Sequence, residues 1–350
     1  MKPKQIIVLG IILGVLLAGA LFKSVIQKMD PRTVSGAQLD GGVAFDFEPG
    51  KIEKILIGRG AKAQPVELVK ANGIWKVKSL WGAVADETRV AGFLEKLCGT
   101  RGELRATGKN FFADFGIGDA DAFSIKLTGL QNTTLLDLKL GAKTAGSGGY
   151  FLRKAAGEEV YFTDMDMAEL LGIFTTFSEA VPLSGYWADL VLFRIDRDRC
   201  LSVVTEHLSK EKGRTAILGI RREGTGGEPS KDPWRFIKAG DPKKVPDPDK
   251  VLRLLIAFNS VQAQSVVDPA GKEYGLDTPL LEIAVTEKER GETRLTVSPK
   301  NEKEDVYFVK ASDRYGIFKL SAHYFQDLDM KDEQLLKESP AASEKLPKIP

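Results

Sequence analysis

An internal repeat constrains this 350-residue chain more than any other feature. Trp75 in Asn72-Gly73-Ile74-Trp75-Lys76-Val77 recurs as Trp234 in Lys231-Asp232-Pro233-Trp234-Arg235-Phe236, 159 residues on. Phe115-Gly116-Ile117 recurs as Tyr274-Gly275-Leu276 at the same offset, and Tyr150-Phe151-Leu152-Arg153-Lys154 as Val306-Tyr307-Phe308-Val309-Lys310 at 156. Matched anchors in one order, drifting only by loop insertions, indicate a duplicated unit. A single core threaded through the whole chain is the architecture they argue against. The length allows about 150 residues to each copy, enough for its own core.

Each copy has the same predicted elements. Alternating apolar residues over Ile52–Ile57 and Val66–Val69, and again over Leu201–Thr205 and Thr215–Arg221, predict half-buried strands. A Trp-bearing strand follows, then a helix with Val90, Phe93, Leu94, Leu97 and Cys98 on one face. Its counterpart carries Val251, Leu254, Leu255 and Phe258 behind Pro246, Asp247, Pro248 and Asp249, residues suited to a helix start. Four more strands are expected per copy: Phe123–Leu127, Leu135–Leu140, Tyr150–Arg153 and Val160–Thr163, then Leu281–Val285, Thr293–Val297, Val306–Lys310 and Gly316–Leu320. Short loops at Gly146–Gly149 and Glu289–Gly291 suit antiparallel hairpins. Helices at Met165–Phe177 and Ala322–Leu328 close the copies. The fold class is α+β: two tandem repeats, each a mainly antiparallel sheet with one or two helices.

The first residues place that pair of repeats outside a membrane. Met1-Lys2-Pro3-Lys4 precedes an uncharged run from Ile6 to Phe22, whose helical length is about 25 Å, slightly short of a ~30 Å hydrocarbon core. A retained transmembrane helix is the favoured reading. A cleaved signal peptide ending at Ala18-Gly19-Ala20 is the alternative, with secretion to the periplasm. The expected organisation is then an anchor or signal peptide over 1–29, a linker over 30–43, repeats over 44–185 and 186–337, and a disordered tail over 338–350. With 50 basic against 48 acidic residues, dispersed along the chain, there is no electrostatic footprint for nucleic acid.

Residues that suggest chemistry have simpler explanations. His207 and His323 have no partner ligand at metal spacing. Of the pairs Asp119/Asp121, Asp164/Asp166, Asp247/Asp249 and Asp327/Asp329, three precede or sit beside a helix, and capping is the favoured reading; a calcium loop begun at Asp164 or Asp327 lacks Gly at its sixth position. Gly141-Ala142-Lys143-Thr144 lacks the upstream glycine of a phosphate loop, Leu136 standing there instead. Cys98 and Cys200 read as free buried thiols, with one disulfide as the alternative. No catalytic residue, metal ligand or cofactor is expected. Trp75 and Trp234 read as core because they repeat; Trp81 and Trp187 do not repeat and are the candidates for a surface contact. Tyr274, Gly275, Leu276 and Pro279, like Phe115 and Gly116, read as fold-forming, the glycine supplying positive φ and the proline opening an edge strand.

Trp234, the helix after it, Tyr274-Gly275-Leu276-Asp277-Thr278-Pro279 and Val306-Tyr307-Phe308-Val309 resemble the bacterial family called domain of unknown function 4340. The first copy matches less closely, with Phe115 in place of Tyr and no following Pro. The resemblance implies an N-terminal membrane segment and an accessory envelope role beside ABC-transporter or gliding-type components, and carries over no catalytic residue. The expected function is therefore a non-enzymatic, membrane-anchored extracytoplasmic assembly or binding component. A periplasmic glycan- or peptide-binding module is the alternative, and a hydrolase with an unusual carboxylate pair is the least supported.

Overall fold

A computed structural model describes residues 42–60, 64–143, 148–177, 179–209, 211, 213–224, 232–238, 244–270 and 273–337. The apolar N-terminal run, residues 30–41 of the expected linker, the glycine-rich tip over 144–147 and the tail from 338 lie outside them, while Gly42 and Val43, expected in the linker, pair with Glu103 and Gly102 in the first sheet. Two compact units form the fold. One takes the chain up to Trp75 and Glu87–Tyr186; the other takes Lys76–Asp86 and the chain from Trp187 on.

The first copy contributes β1 (Gly42–Ala44), β2 (Lys54–Arg59), β3 (Val66–Ala71), β4 (Ile74–Val77), β5 (Ala83–Val84), helix α1 (Glu87–Cys98), β6 (Arg101–Thr107), β7 (Phe123–Thr128), β8 (Thr134–Lys143), β9 (Tyr150–Lys154), β10 (Glu159–Thr163) and helix α2 (Met167–Leu171). The second contributes β11 (Cys200–Ser209), β12 (Gly213–Arg222), β13 (Trp234–Phe236), α3 (Pro248–Ser260), β14 (Ser265–Val267), β15 (Leu281–Glu287), β16 (Gly291–Val297), β17 (Val306–Ala311), β18 (Ile317–Ser321) and α4 (Ala322–Leu328). Pairing is mostly antiparallel, and the class is α+β.

Strand order demonstrates the duplication. Among the described residues the first sheet runs β5-β4-β3-β2-β7-β8-β9-β10-β6-β1, and the second runs β13-β12-β11-β15-β16-β17-β18-β14. Without β5 and β1 the two orders are the same, element for element. The repetition extends into irregular segments. Asp86 N donates to Trp187 O, and Asp247 N to Leu335 O, both at 2.8 Å. The residues just before each helix form matching isolated bridges, Ala85 with Ala188 and Pro246 with Leu336. Val191 bridges Gln262 much as Val43 of β1 pairs with Gly102.

Amphipathic helices supply part of the core. Val90, Phe93, Leu94 and Leu97 are buried on α1, as are Val251, Leu254, Leu255 and Phe258 at the same spacing on α3. Asp247 caps α3 by accepting from Asp249 N at 2.9 Å, and Asp166 caps α2 by accepting from Ala168 N and Glu169 N.

The structure corrects several expectations. The helix expected over Met165–Phe177 stops at Leu171, because Gly172 takes φ 68° and its N–H returns to the carbonyls of Ala168 and Glu169. Apolar periodicity ran on past this stop, which the glycine conformation decides. Capping does not explain the remaining Asp pairs: Asp119 accepts from Arg153, Asp327 lies inside α4, and Asp329 meets His207. Strands β1, β5, β6 and β14 are additional to those expected; β6, Arg101-Gly102-Glu103-Leu104-Arg105-Ala106-Thr107, carries mostly polar residues and so lacks a clear alternation. Among the described residues no helix is long and apolar enough to cross a membrane.

One buried polar atom is a defect that can be repaired. Thr205 in β11 is fully buried, and its hydroxyl has no partner among the described residues. Ile57 takes the corresponding place in β2, since Thr205 pairs with Ile283 as Ile57 does with Ile125. Replacing the unsatisfied hydroxyl by a methyl in Thr205→Val should stabilise the fold by about 1 kcal/mol. A thermal melt should show the midpoint rising by roughly 2–4 °C; a fall would mean that the hydroxyl is in fact satisfied.

Candidate functional site

The repeat anchors occupy matching environments. Trp75 on β4 and Trp234 on β13 are each 7% exposed, and a cation from the neighbouring strand lies over each ring. Lys70 Nζ is 6.0 Å from the Trp75 ring centroid, and the Arg222 guanidinium is 4.6 Å from that of Trp234. Phe115 packs on Phe151 with ring centroids 4.3 Å apart, and Tyr274 on Phe308 at 4.6 Å. Leu152 pairs with Leu140 as Val309 does with Val297, so Phe151 matches Phe308 and not Tyr307, which corrects the sequence alignment of this strand by one residue. Gly116 and Gly275 both take positive φ, 64° and 72°. Beside the first turn lies Gly141 of β8, where a Cβ would come within 2.1 Å of Phe115 O. Close approach of the turn accounts for this glycine of the phosphate-loop look-alike. Leu276 is half-buried, and Pro279 lines a cleft with Leu208, Thr278 and Pro299 just ahead of β15.

The two unrepeated tryptophans part company. Trp81 is 44% exposed on a left-handed residue between β4 and β5, with φ 52°. Trp187 is completely buried, so it is not a surface contact. It occupies the place that Leu335, also fully buried, takes in the second copy, as their matching carbonyl bonds to Asp86 N and Asp247 N show. A large apolar ring fills the same position as an aliphatic side chain.

Charged side chains that suggest chemistry tie loops to the sheets. Arg59 pairs with Phe123 across β2 and β7, and His207 pairs with Leu281 at the same point of β11 and β15. From these equivalent positions both reach the segment that follows the closing helix. Arg59 donates to Phe177 O at 2.7 Å and Ala180 O at 2.5 Å; His207 Nε2 lies 2.6 Å from Asp329 Oδ1. Burial lowers the Arg59 pKa from its usual value. Arg153, almost fully buried, donates to Ile117 O, Ala155 O and Asp119, and so fixes the Phe115–Ile117 turn. Asp189, itself buried, accepts from both Arg194 and Arg314. His323 sits edge-on to the Tyr324 ring. Among the described residues no three His, Cys, Asp or Glu side chains form a group able to hold a metal. Sequence reading found no counterpart for His207, because its equivalent is an arginine.

A cavity of 680 Å³ opens in the second unit where β13 faces the start of α3. Its floor is apolar, formed by Trp234, Val251, Leu252 and Leu255 with Pro246 and Pro248. Its cations are Arg197, Arg222, Arg235 and Lys337, against Asp198 and Asp232. Arg222 is committed, donating to the carbonyls of Cys200, Asp232 and Arg197, and Arg235 pairs with Glu223 at 3.1 Å. Arg197 and Lys337 carry the remaining positive charge at the rim. Leu252, 41% exposed, continues onto Ile256, 46% exposed, one turn along α3. Alignment of the buried faces puts Ala91 and Glu95 of α1 at those two positions. Comparing the two helices in this way is the one sequence signal that would have exposed the site.

These features define a duplicated α+β module whose second copy carries a groove with an apolar floor and a cationic rim. The family model for the Domain of unknown function (DUF4340) matches residues 75–270 and 234–346, in two overlapping stretches, and the chain belongs to that family. No curated protein and no solved structure matches it.

Both cysteines are free. The Cys98 thiol lies 3.0 Å from Phe47 O, whereas Cys200 is fully buried. Burial, with the nearby charge of Glu287, pushes the Cys200 thiol up from 9.0 to about 12. Thiolate is the nucleophile, so at pH 8 the native protein should leave Cys200 unalkylated by iodoacetamide while unfolded chain reacts at both cysteines. Mass mapping of native Cys200 labelled as fast as in denaturant would contradict this environment.

Proposed function

We propose that this chain is a binding component held outside a membrane by its apolar N-terminal segment, acting by recognition and not by covalent chemistry. The observation that carries the reading is a difference between two otherwise matching copies. Among the described residues the second copy combines an edge strand, an exposed apolar helix face at Leu252 and Ile256, and a rim with cations at Arg197 and Lys337. A solvent-facing Leu–Ile pair continuous with a groove marks a protein contact more often than a catalytic pocket. Arginine and lysine at the rim add orientation and rate to such a contact more than affinity.

The partner class proposed is another envelope protein, with ABC-transporter components first. The balanced net charge of +2 gives no support to a nucleic-acid partner. Trp81 is the one feature that favours the glycan-binding alternative, as an exposed ring able to stack on a sugar face. Affinity capture with the full chain from detergent-solubilised membranes should return transporter or other envelope proteins reproducibly. Repeated capture of none would overturn the binding reading, and saturable quenching of tryptophan emission by cell-wall oligosaccharides, lost in Trp81→Ala, would replace it with the glycan one.

A further inference from the structure

We infer that the edge of β13 is a strand-addition site, which takes an extended peptide of a partner protein bearing small apolar residues followed by acidic ones. This rests on the binding function proposed above and specifies its seat and its ligand. The first copy supplies the precedent. There β4 is covered by β5, with Lys76 paired to Val84 and Val77 to Ala83, and Gly82 N donating to Val77 O at 3.0 Å. In the second copy Arg235 follows Trp234 as Lys76 follows Trp75. Val245 precedes the Pro246–Leu336 bridge as Val84 precedes the Ala85–Ala188 bridge. Arg235 and Val245, the counterparts of two paired residues, instead line the same cavity, and Val245 lies in no strand. Among the described residues the groove lies where a strand stands in the first copy.

The backbone of β13 is oriented to receive such a strand. Glu223 N donates to Pro233 O and Ile237 N to Gly219 O, so the Pro233 carbonyl and the Ile237 N–H face β12, and Arg235 between them faces the same way. Along an antiparallel strand the direction alternates, which turns the N–H and C=O groups of Trp234 and Phe236 toward the open side, where the Trp234 carbonyl accepts from the Arg235 guanidinium at 3.2 Å. Among the described residues β13 is an end strand of its sheet, with β12 its neighbour. An edge of this kind recruits extended peptides through main-chain bonds, while adjoining pockets read the side chains.

Charge and shape define what is read. In the first copy the covering strand is Ala83–Val84, flanked by Gly82 and Ala85, and Asp86 and Glu87 follow it into the start of α1. Small side chains suit a groove floored by Trp234 and Leu255, and acids suit Arg197 and Lys337 at its rim. The volume lies within the roughly 300–1,000 Å³ usual for ligand sites.

The test uses the full chain in detergent and a fluorescein-labelled synthetic peptide with the sequence Gly82–Glu87, followed by fluorescence anisotropy. Saturable binding is expected, weakened about tenfold or more in the double variant Arg197→Glu/Lys337→Glu at low salt. Two further peptides carry backbone N-methyl groups at alternate positions, in the two possible registers. Strand addition requires one register to abolish binding and the other to leave it nearly intact, a result that needs no change to the protein. No saturation up to about 1 mM peptide, or equal effects of the two registers, would overturn the site. Envelope partners captured equally by the wild type and the double variant would remove β13 as the seat while leaving the binding function standing; a wild type that captures none would overturn the function itself.

Discussion

Every strand of a sheet has backbone groups that need partners, and edges are where that need is hardest to meet. The two copies in this chain meet it differently. The first places β1 outside β6 and β5 outside β4. Among the described residues the second has a single bridge, Val191 with Gln262, in the place of β1, and a groove in the place of β5. One duplicated topology thus yields one covered edge and one that faces a cavity. The rest of the functional account follows from that difference.

What surrounds the edges is rigid for reasons common to both copies. An aromatic pair and a left-handed glycine hold the turn before β7 and the turn before β15, at Phe115–Gly116 and Tyr274–Gly275. A cation on the neighbouring strand, β3 in the first copy and β12 in the second, lies over the repeated tryptophan. A polar side chain at one ladder position, Arg59 or His207, fastens the segment after the closing helix. Hydrogen bonds from a charged donor are worth about 1.5–3 kcal/mol each, so such ties matter for segments with little regular structure. They also explain why these arginines signal architecture. Arg59, Arg153 and Arg222 all spend their donors largely on carbonyl oxygens.

Much of this framework was legible in the sequence. Trp75 with Trp234 and Phe115-Gly116 with Tyr274-Gly275 located the duplication, because core aromatics and positive-φ glycines tolerate few replacements. Buried strands such as β7 and β15, and the apolar faces of α1 and α3, followed from periodicity. What periodicity could not reveal was set by long-range geometry. Strand β6 pairs along both sides yet reads as polar, and β5 is two residues long. Trp187 looked exposed because its counterpart is Leu335, a residue with no aromatic character to match. The equivalence of Arg59 and His207 is hidden for the same reason. The groove was invisible because it consists of a pairing that Val245 and Arg235 do not make. Its apolar flank, by contrast, was readable from Leu252 and Ile256 standing where the first copy has Ala91 and Glu95.

The central claim, that β13 presents an open hydrogen-bonding edge, can be measured on single amides. Native-state hydrogen exchange of the isolated full chain should find the Arg235 amide, directed at β12, protected, and the amides of Trp234 and Phe236 exchanging far faster. Alternating protection along three consecutive residues is the signature of a strand bonded on one side. Equal, strong protection of Arg235 and Phe236 would show that the edge is already covered within the chain, and would contradict the account.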